Sequence, residues 1–310
     1  MQSKQFHHPL TGGGSLCIHR WLPDGAGEVK SAVLIVHGMA EHGARYARLA
    51  QALTDAGHAV YAPDLPGHGR TARAPDELGH VSSRGGWLKL LSAINAVREL
   101  VQHQLHDPPI YLLGHSMGSM LLQDYLVEHG HNLAGAIFSA TTGDLGGLRP
   151  VAVALLKAEA AWYGRAHRSA LAEALTFKDF NRRFRPARTG FEWLSRDAAE
   201  VDKYVSDPAC GFRCSCALWI DLFTAGAGWT DAQRLARIPK SLPVLLIGGS
   251  EDPATRGEAG PRALERSYQQ AGIRDVSVRI WPGARHELLN ETCRDEVTAA
   301  LLEWLAQRSR

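Results

Sequence analysis

Short, unbroken apolar runs alternate with longer amphipathic stretches along the first half of the chain. The run AVLIVHG covers Ala32 to Gly38, HAVYAPD covers His58 to Asp64, and IYLLG covers Ile110 to Gly114. Between them lie stretches of helical periodicity, around Tyr46 to Ala56 and Trp87 to Gln104. Runs rich in Val, Ile and Leu that are too short for helices predict strands buried on both faces, and the intervening segments predict crossover helices. The rhythm continues with a helix from Met117 to about His129 and a strand at Gly135 to Ala140. The expected class is therefore α/β, with a mostly parallel central sheet and helices on both faces.

From about Thr141 to Arg237 no buried strand is evident. The pattern returns with PVLLIGG (Pro243 to Gly249), a helix near Pro261 to Gly272, VSVRIWPG (Val276 to Gly283) and a last helix from Arg294 to Gln307. The interruption is too long for an ordinary loop. The simplest organisation is a core of residues 1–140 and 238–310, with residues 141–237 inserted as a helical cap. Ligands of open parallel sheets bind beyond the carboxyl ends of the strands, where such a cap would form a roof. Near the amino end, Gly12 to Gly14 lacks the lysine and following helix of a phosphate loop, and is read as a tight turn between two early strands.

Composition narrows the partners. An apolar fraction of 45% in 310 residues supports a large core and excludes a disordered chain. The 34 basic and 32 acidic residues leave a net charge of +2, too little to draw the chain to nucleic acid. Met1 to Leu10 has no apolar core of a signal peptide, and no later run approaches the roughly 20 residues of a membrane span, so a soluble, cytoplasmic protein is expected. Five cysteines, with Cys210, Cys214 and Cys216 clustered and Cys17 and Cys293 apart, are read as reduced packing or loop thiols rather than a zinc site.

The chemistry centres on Gly114-His-Ser-Met-Gly118. It falls where a strand gives way to a helix, which is the context a nucleophile elbow requires: a sharp turn presents Ser116, and glycines on either side remove Cβ atoms that would collide with strand and helix. A serine hydroxyl needs a base, and the base needs a carboxylate to fix its tautomer. On this fold they follow in the order serine, acid, histidine. Asp252 follows the run VLLIGG and His286 follows VSVRIWPG, both on the strand-end edge that carries Ser116. Asp252 is preferred to its neighbour Glu251 and to Asp221 and Asp275, because the pair Asp252-Pro253 favours a fixed turn. The oxyanion donors are expected to be the N–H groups of Met117, at the start of the helix, and Met39, beside Gly38 in the first strand-end loop.

The stretch HGMAEHGARYARLAQALTDAGHAVYAPDLPGHGRT, followed by GHSMGS, closely resembles the monoacylglycerol lipase and lysophospholipase-like branch of the α/β-hydrolase fold, a group also catalogued with serine aminopeptidases. The resemblance implies Ser116, Asp252 and His286 as the triad, Met39 and Met117 as the oxyanion hole, a helical cap, and no metal or organic cofactor. It further implies a small-molecule acyl ester as substrate, such as a monoacylglycerol or lysophospholipid. Ala40 and Thr71 depart from the family's glycine and serine, and Ala40 bears on the path of the oxyanion loop. Epoxide hydrolases and dehalogenases of the fold place an aspartate where Ser116 stands. A thioesterase or small-peptide aminopeptidase with the same triad stays open, as does an inactive hydrolase fold serving as a ligand receptor.

Asp64, Gly67, His68 and Gly69 are read as a structural turn bracing the site. Within the cap, Val151, Leu155, Ala158 and Trp162 recur at helical spacing; packing onto the sheet domain is the expectation, and transient contact with a membrane surface is the functional alternative. A helix through Phe177, Phe180 and Phe184 is expected to turn these rings inward and Lys178, Arg182, Arg183, Arg185 and Arg188 toward solvent.

Overall fold

The computed structural model describes residues 1–11, 13–25 and 29–308. Eight strands form one sheet: β1 (Gln2–Pro9), β2 (Ser15–Leu22), β3 (Ser31–Val36), β4 (His58–Pro63), β5 (Ile110–His115), β6 (Gly135–Ser139), β7 (Val244–Gly249) and β8 (Val276–Trp281). Their order is β1-β2-β4-β3-β5-β6-β7-β8, antiparallel from β1 through β2 to β4 and parallel across the rest. β1 and β2 pair in register from Gln2↔Leu22 to Pro9↔Ser15, so a turn joins two early strands as the sequence suggests. Gly12 of that turn lies outside the described residues.

Every residue of β3, β4, β5, β6 and β7 is buried, which is the physical reason their sequences read as continuous apolar runs rather than alternating ones. Around the sheet lie α1 (Ala47–Asp55), α2 (Gly86–Gln104) and α3 (Met117–His129). Between β6 and β7 come α4 (Arg149–Tyr163), α5 (Ala170–Leu175), α6 (Phe177–Asn181), α7 (Ala198–Ser206), α8 (Cys216–Ala225) and α9 (Ala232–Leu235); α10 (Ala259–Gln270) and α11 (Arg294–Ala306) follow in turn. One core packs Leu34, Leu112 and Phe138 with α2, α3 and α8, and a second, on the opposite sheet face, packs Val33, Ile35 and Leu113 with α1 and α11.

Two expectations for the inserted segment need correction. The stripe on α4 does not pack onto the sheet domain: Val151 is 55% exposed, Leu155 47% and Trp162 83%. The buried pair on that helix is instead Leu156 and Ala160, one turn apart, and the face they define packs toward α8. The phenylalanine segment is not one helix either. α6 ends at Asn181 and a single 3-10 turn spans Arg182–Phe184. The rings still turn inward, onto a small cluster with Trp193, Leu194 and Tyr204, while Lys178 and the arginines stay exposed. The inward-outward division survives because burying the rings does not require helical continuity.

Candidate active site

Ser116 sits between β5 and α3 with φ 50° and ψ −117°. This is a conformation that costs a side-chain-bearing residue on the order of 1–3 kcal/mol. The turn is tight enough that a Cβ on Gly114 would meet the Gly118 carbonyl oxygen at 2.6 Å, and one on Gly118 would run into the Val36 carbonyl of β3. The flanking glycines thus let strand, helix and neighbouring strand close around the hydroxyl. The Ser116 N–H donates to the Ser139 carbonyl at the end of β6, which anchors the elbow to the sheet.

His286 lies past β8 and Asp252 past β7, on the same edge. The His286 Nδ1 and Asp252 Oδ2 are 2.8 Å apart, with both residues buried. The second Asp252 oxygen accepts the Ala254 N–H at 2.9 Å, so the carboxylate is held from both sides. Burial alone would lower the His286 pKa, but the Asp252 charge and hydrogen bond outweigh it and raise the imidazole above its ordinary value. Glu251 is exposed, Asp275 pairs with Arg308, and Asp221 faces Arg165 and Trp87, so those rival acids are engaged elsewhere or point away.

The first strand-end loop is pinned one peptide at a time. Gly38 N–H donates to Glu41 Oε1 at 2.6 Å. The Gly38 carbonyl accepts from His37 Nδ1 at 2.7 Å, and His37 Nε2 accepts the Leu65 N–H at 2.9 Å. The Leu65 donor fixes the His37 tautomer with its proton on Nδ1. Holding the Gly38 carbonyl also fixes the opposed Met39 N–H, since both belong to one planar peptide. Among the described residues the Met39 N–H has no hydrogen-bond partner, and Met117 opens α3, where the first N–H groups lack intrahelical acceptors. These are the N–H groups that the sequence reading named as candidate oxyanion donors.

Beneath the loop lies an ion cluster that the sequence reading did not assign. Arg45 makes paired 2.7 Å bonds to Glu287 and a further 2.7 Å bond to Glu41. Burial opposes ionisation of Glu41, yet the Arg45 guanidinium and the Gly38 N–H hold its carboxyl well below the usual carboxylate range. His115, directly before Ser116, has its ring 5.0 Å from that of His286. Burial lowers its pKa to about 4, so it stays neutral beside His286. The four-residue spacing of Glu41 and Arg45 was the available sequence signal; Glu287, distant in the chain, gave none. Asp64 braces the loop from the other side, accepting from Gly43 N–H, Arg70 N–H and His19 Nε2.

The inserted segment closes over the serine. Phe177, Trp193, Leu194 and Tyr204 line, with Met39 and His286, a space of about 20 Å³. A much larger groove of about 1070 Å³ runs between Gly13 to Ser15 and α2, but none of the residues just described lines it.

A serine on a strained strand–helix turn, a buried histidine–carboxylate pair and a pinned strand-end loop, all at the carboxyl edge of this sheet, are the marks of an α/β-hydrolase. The family model described as serine aminopeptidase, S33, matches residues 27–293, and the chain belongs to that family. It is 27% identical over 311 residues to a monoacylglycerol lipase of Mycolicibacterium smegmatis, covering 98% of each chain. It is 29% identical over 307 residues to the mouse monoglyceride lipase, covering 96% of this chain and 88% of the other. Among solved structures, the thermostable carboxyl esterase of Bacillus coagulans in complex with glycerol superimposes with a TM-score of 0.89 at 25% identity, over 100% of both chains.

Proposed function

We propose that this hydrolase cleaves carboxylic esters of single-chain lipids, such as a monoacylglycerol or lysophospholipid, through an acyl-enzyme. His286 takes the Ser116 proton as Oγ attacks the ester carbonyl. The tetrahedral oxyanion accepts from the Met39 and Met117 N–H groups, and Asp252 balances the imidazolium. Collapse breaks the ester C–O bond, and His286 hands its proton to the departing alcohol. Water, deprotonated by the same histidine, then releases the fatty acid and restores Ser116.

The observation that carries this reading is the buried 2.8 Å His286–Asp252 pair, whose imidazole lines one space with a strained Ser116 and with Met39, an N–H without a partner among the described residues. The relatives' lipase and esterase names support the ester class. Ester cleavage is favoured over peptide cleavage by the surroundings of the cavity: its lining carboxylates, Glu41 and Glu287, are both bonded to Arg45, leaving neither free to receive a peptide's ammonium group.

Residues 141–237 act in this reading as a cap over a core of residues 1–140 and 238–310. A space of about 20 Å³ cannot hold an acyl chain, so the roof shifts to admit substrate. The exposed Leu148, Val151, Leu155 and Trp162 make transient contact with lipid surfaces. A cytoplasmic setting suits five free cysteines, of which all but Cys293 are buried. No described helix is long and apolar enough to cross a membrane.

The test is labelling with a fluorophosphonate, followed by a panel of acyl glycerols, acyl-CoA and amino-acid anilides run on the protein and on Ser116→Ala. An adduct on Ser116 and turnover of acyl glycerols that the mutation abolishes are expected. Full turnover by Ser116→Ala would overturn the assignment, and preference for anilides would overturn the substrate class.

A further inference from the structure

Ala40, two residues after Gly38, adopts φ 56°, a left-handed conformation that a residue with a Cβ enters only when its surroundings hold it there. What holds it comes from the inserted segment. The Ala40 carbonyl accepts two hydrogen bonds, from the Tyr204 hydroxyl at 2.9 Å and from the Gly211 N–H at 2.9 Å. Tyr204 is buried, and its ring lies under the Arg45 guanidinium at 4.8 Å, which fixes the side chain beneath the loop. Burial keeps its hydroxyl protonated, so it remains a donor. At the rim, His42 Nε2 and Asp207 Oδ2 meet at 2.9 Å and tie the same two segments again.

The geometry points to Tyr204 as a positioning residue of the oxyanion loop: its bond to the Ala40 carbonyl holds Ala40 left-handed and so holds the adjacent Met39 N–H toward Ser116. This inference rests on the proposed role of Met39. The oxyanion hole is then a joint construction, with His37 and Glu41 fixing the loop from the sheet side and Tyr204 fixing it from the inserted segment. It also explains how this chain tolerates alanine at position 40, since the hydrogen bonds supply the constraint that glycine would meet without strain.

The experiment measures kcat and KM with a short soluble ester for the unmodified protein, Tyr204→Phe, Ala40→Gly and the double variant, with thermal melting of each to monitor folding. Tyr204→Phe is expected to lower kcat about tenfold with KM changed less than about twofold, because a donor is misplaced rather than removed. Affinity for a trifluoromethyl ketone, which forms a tetrahedral adduct on the serine, should fall in parallel. In the double variant, glycine at 40 reaches the left-handed conformation unaided, and most of the lost kcat should return. Unchanged kcat in Tyr204→Phe, a loss confined to KM, or no rescue by Ala40→Gly would each overturn the inference. An unmodified protein that neither turns over esters nor labels at Ser116 would instead sink the proposed function.

Discussion

Two stretches of the inserted segment meet the rest of the molecule in opposite ways. α4 and α5 leave several large apolar side chains exposed, with Trp162 83% and Leu175 56% accessible, and among the described residues none of their hydrogen bonds or ion pairs reaches the loops after β3, β5, β7 or β8. Residues 193–211 are bonded into those loops. The Trp193 and Leu194 carbonyls accept from the His286 and Glu287 N–H groups, Arg196 pairs with the buried Glu291 at 2.9 Å, and Tyr204 and Gly211 hold Ala40. A segment that reads as one unit in the sequence thus combines an exposed apolar outer face, proposed above to meet lipid, with an inner belt bonded to the loops that carry Ala40, His286 and Glu291. The proposed motion of the roof should be cheapest in the first stretch, where no described hydrogen bond or ion pair to those loops would be broken.

Substitutions can break this contrast or sharpen it. Asp252→Asn sets the upper scale: with the tautomer of His286 unfixed, kcat should fall by about 10³–10⁴ at unchanged fold stability, measured by steady-state hydrolysis and melting. Glu291→Ala removes the acceptor of the Arg196 side chain and of the Arg196, Arg285 and Thr292 N–H groups. It should destabilise the protein by on the order of 3 kcal/mol in denaturant unfolding and lower kcat on a soluble ester about tenfold. Equal kcat would show that the belt is scaffolding alone. Replacing Val151 and Trp162 together by serine should leave soluble-ester turnover within about twofold, yet cut hydrolysis of substrate held in vesicles several-fold. A loss on both substrates would erase the distinction between the stretches.

The smallest effect concerns pH. In the proposed mechanism His286 must be unprotonated to accept the Ser116 proton, so kcat/KM should rise as pH passes upward through its pKa. Because Asp252 raises that pKa, the acid limb should lie on the alkaline side of the ordinary value of 6.5, and the residual activity of Asp252→Asn should show the limb shifted to lower pH.

Much of this was legible in the residues because it depends on local rules. Buried strands announce themselves by continuous apolar runs, and the elbow by glycines at a strand–helix junction. The pairing of Asp252 with His286 on one edge of the sheet could be anticipated because each follows such a strand directly. What escaped notice depends on distance. Glu287 pairs with Arg45 across most of the chain, and Tyr204 reaches Ala40 from a segment whose path no periodicity revealed. The α4 stripe misled for another reason: an apolar face has the same spacing whether it meets a core or remains open, and only the position of α8 against Leu156 and Ala160 decided which face was covered.

The ion cluster beneath the oxyanion loop sets two carboxylates, Glu41 and Glu287, against the single guanidinium of Arg45, and Asp252 stands close by with a third. A neutral ester enters that chamber without electrostatic cost, whereas the fatty acid it yields is an anion among anions. In the proposed mechanism the imbalance that steadies the imidazolium during attack should also speed departure of the product, and inhibition by accumulated soap should be weak.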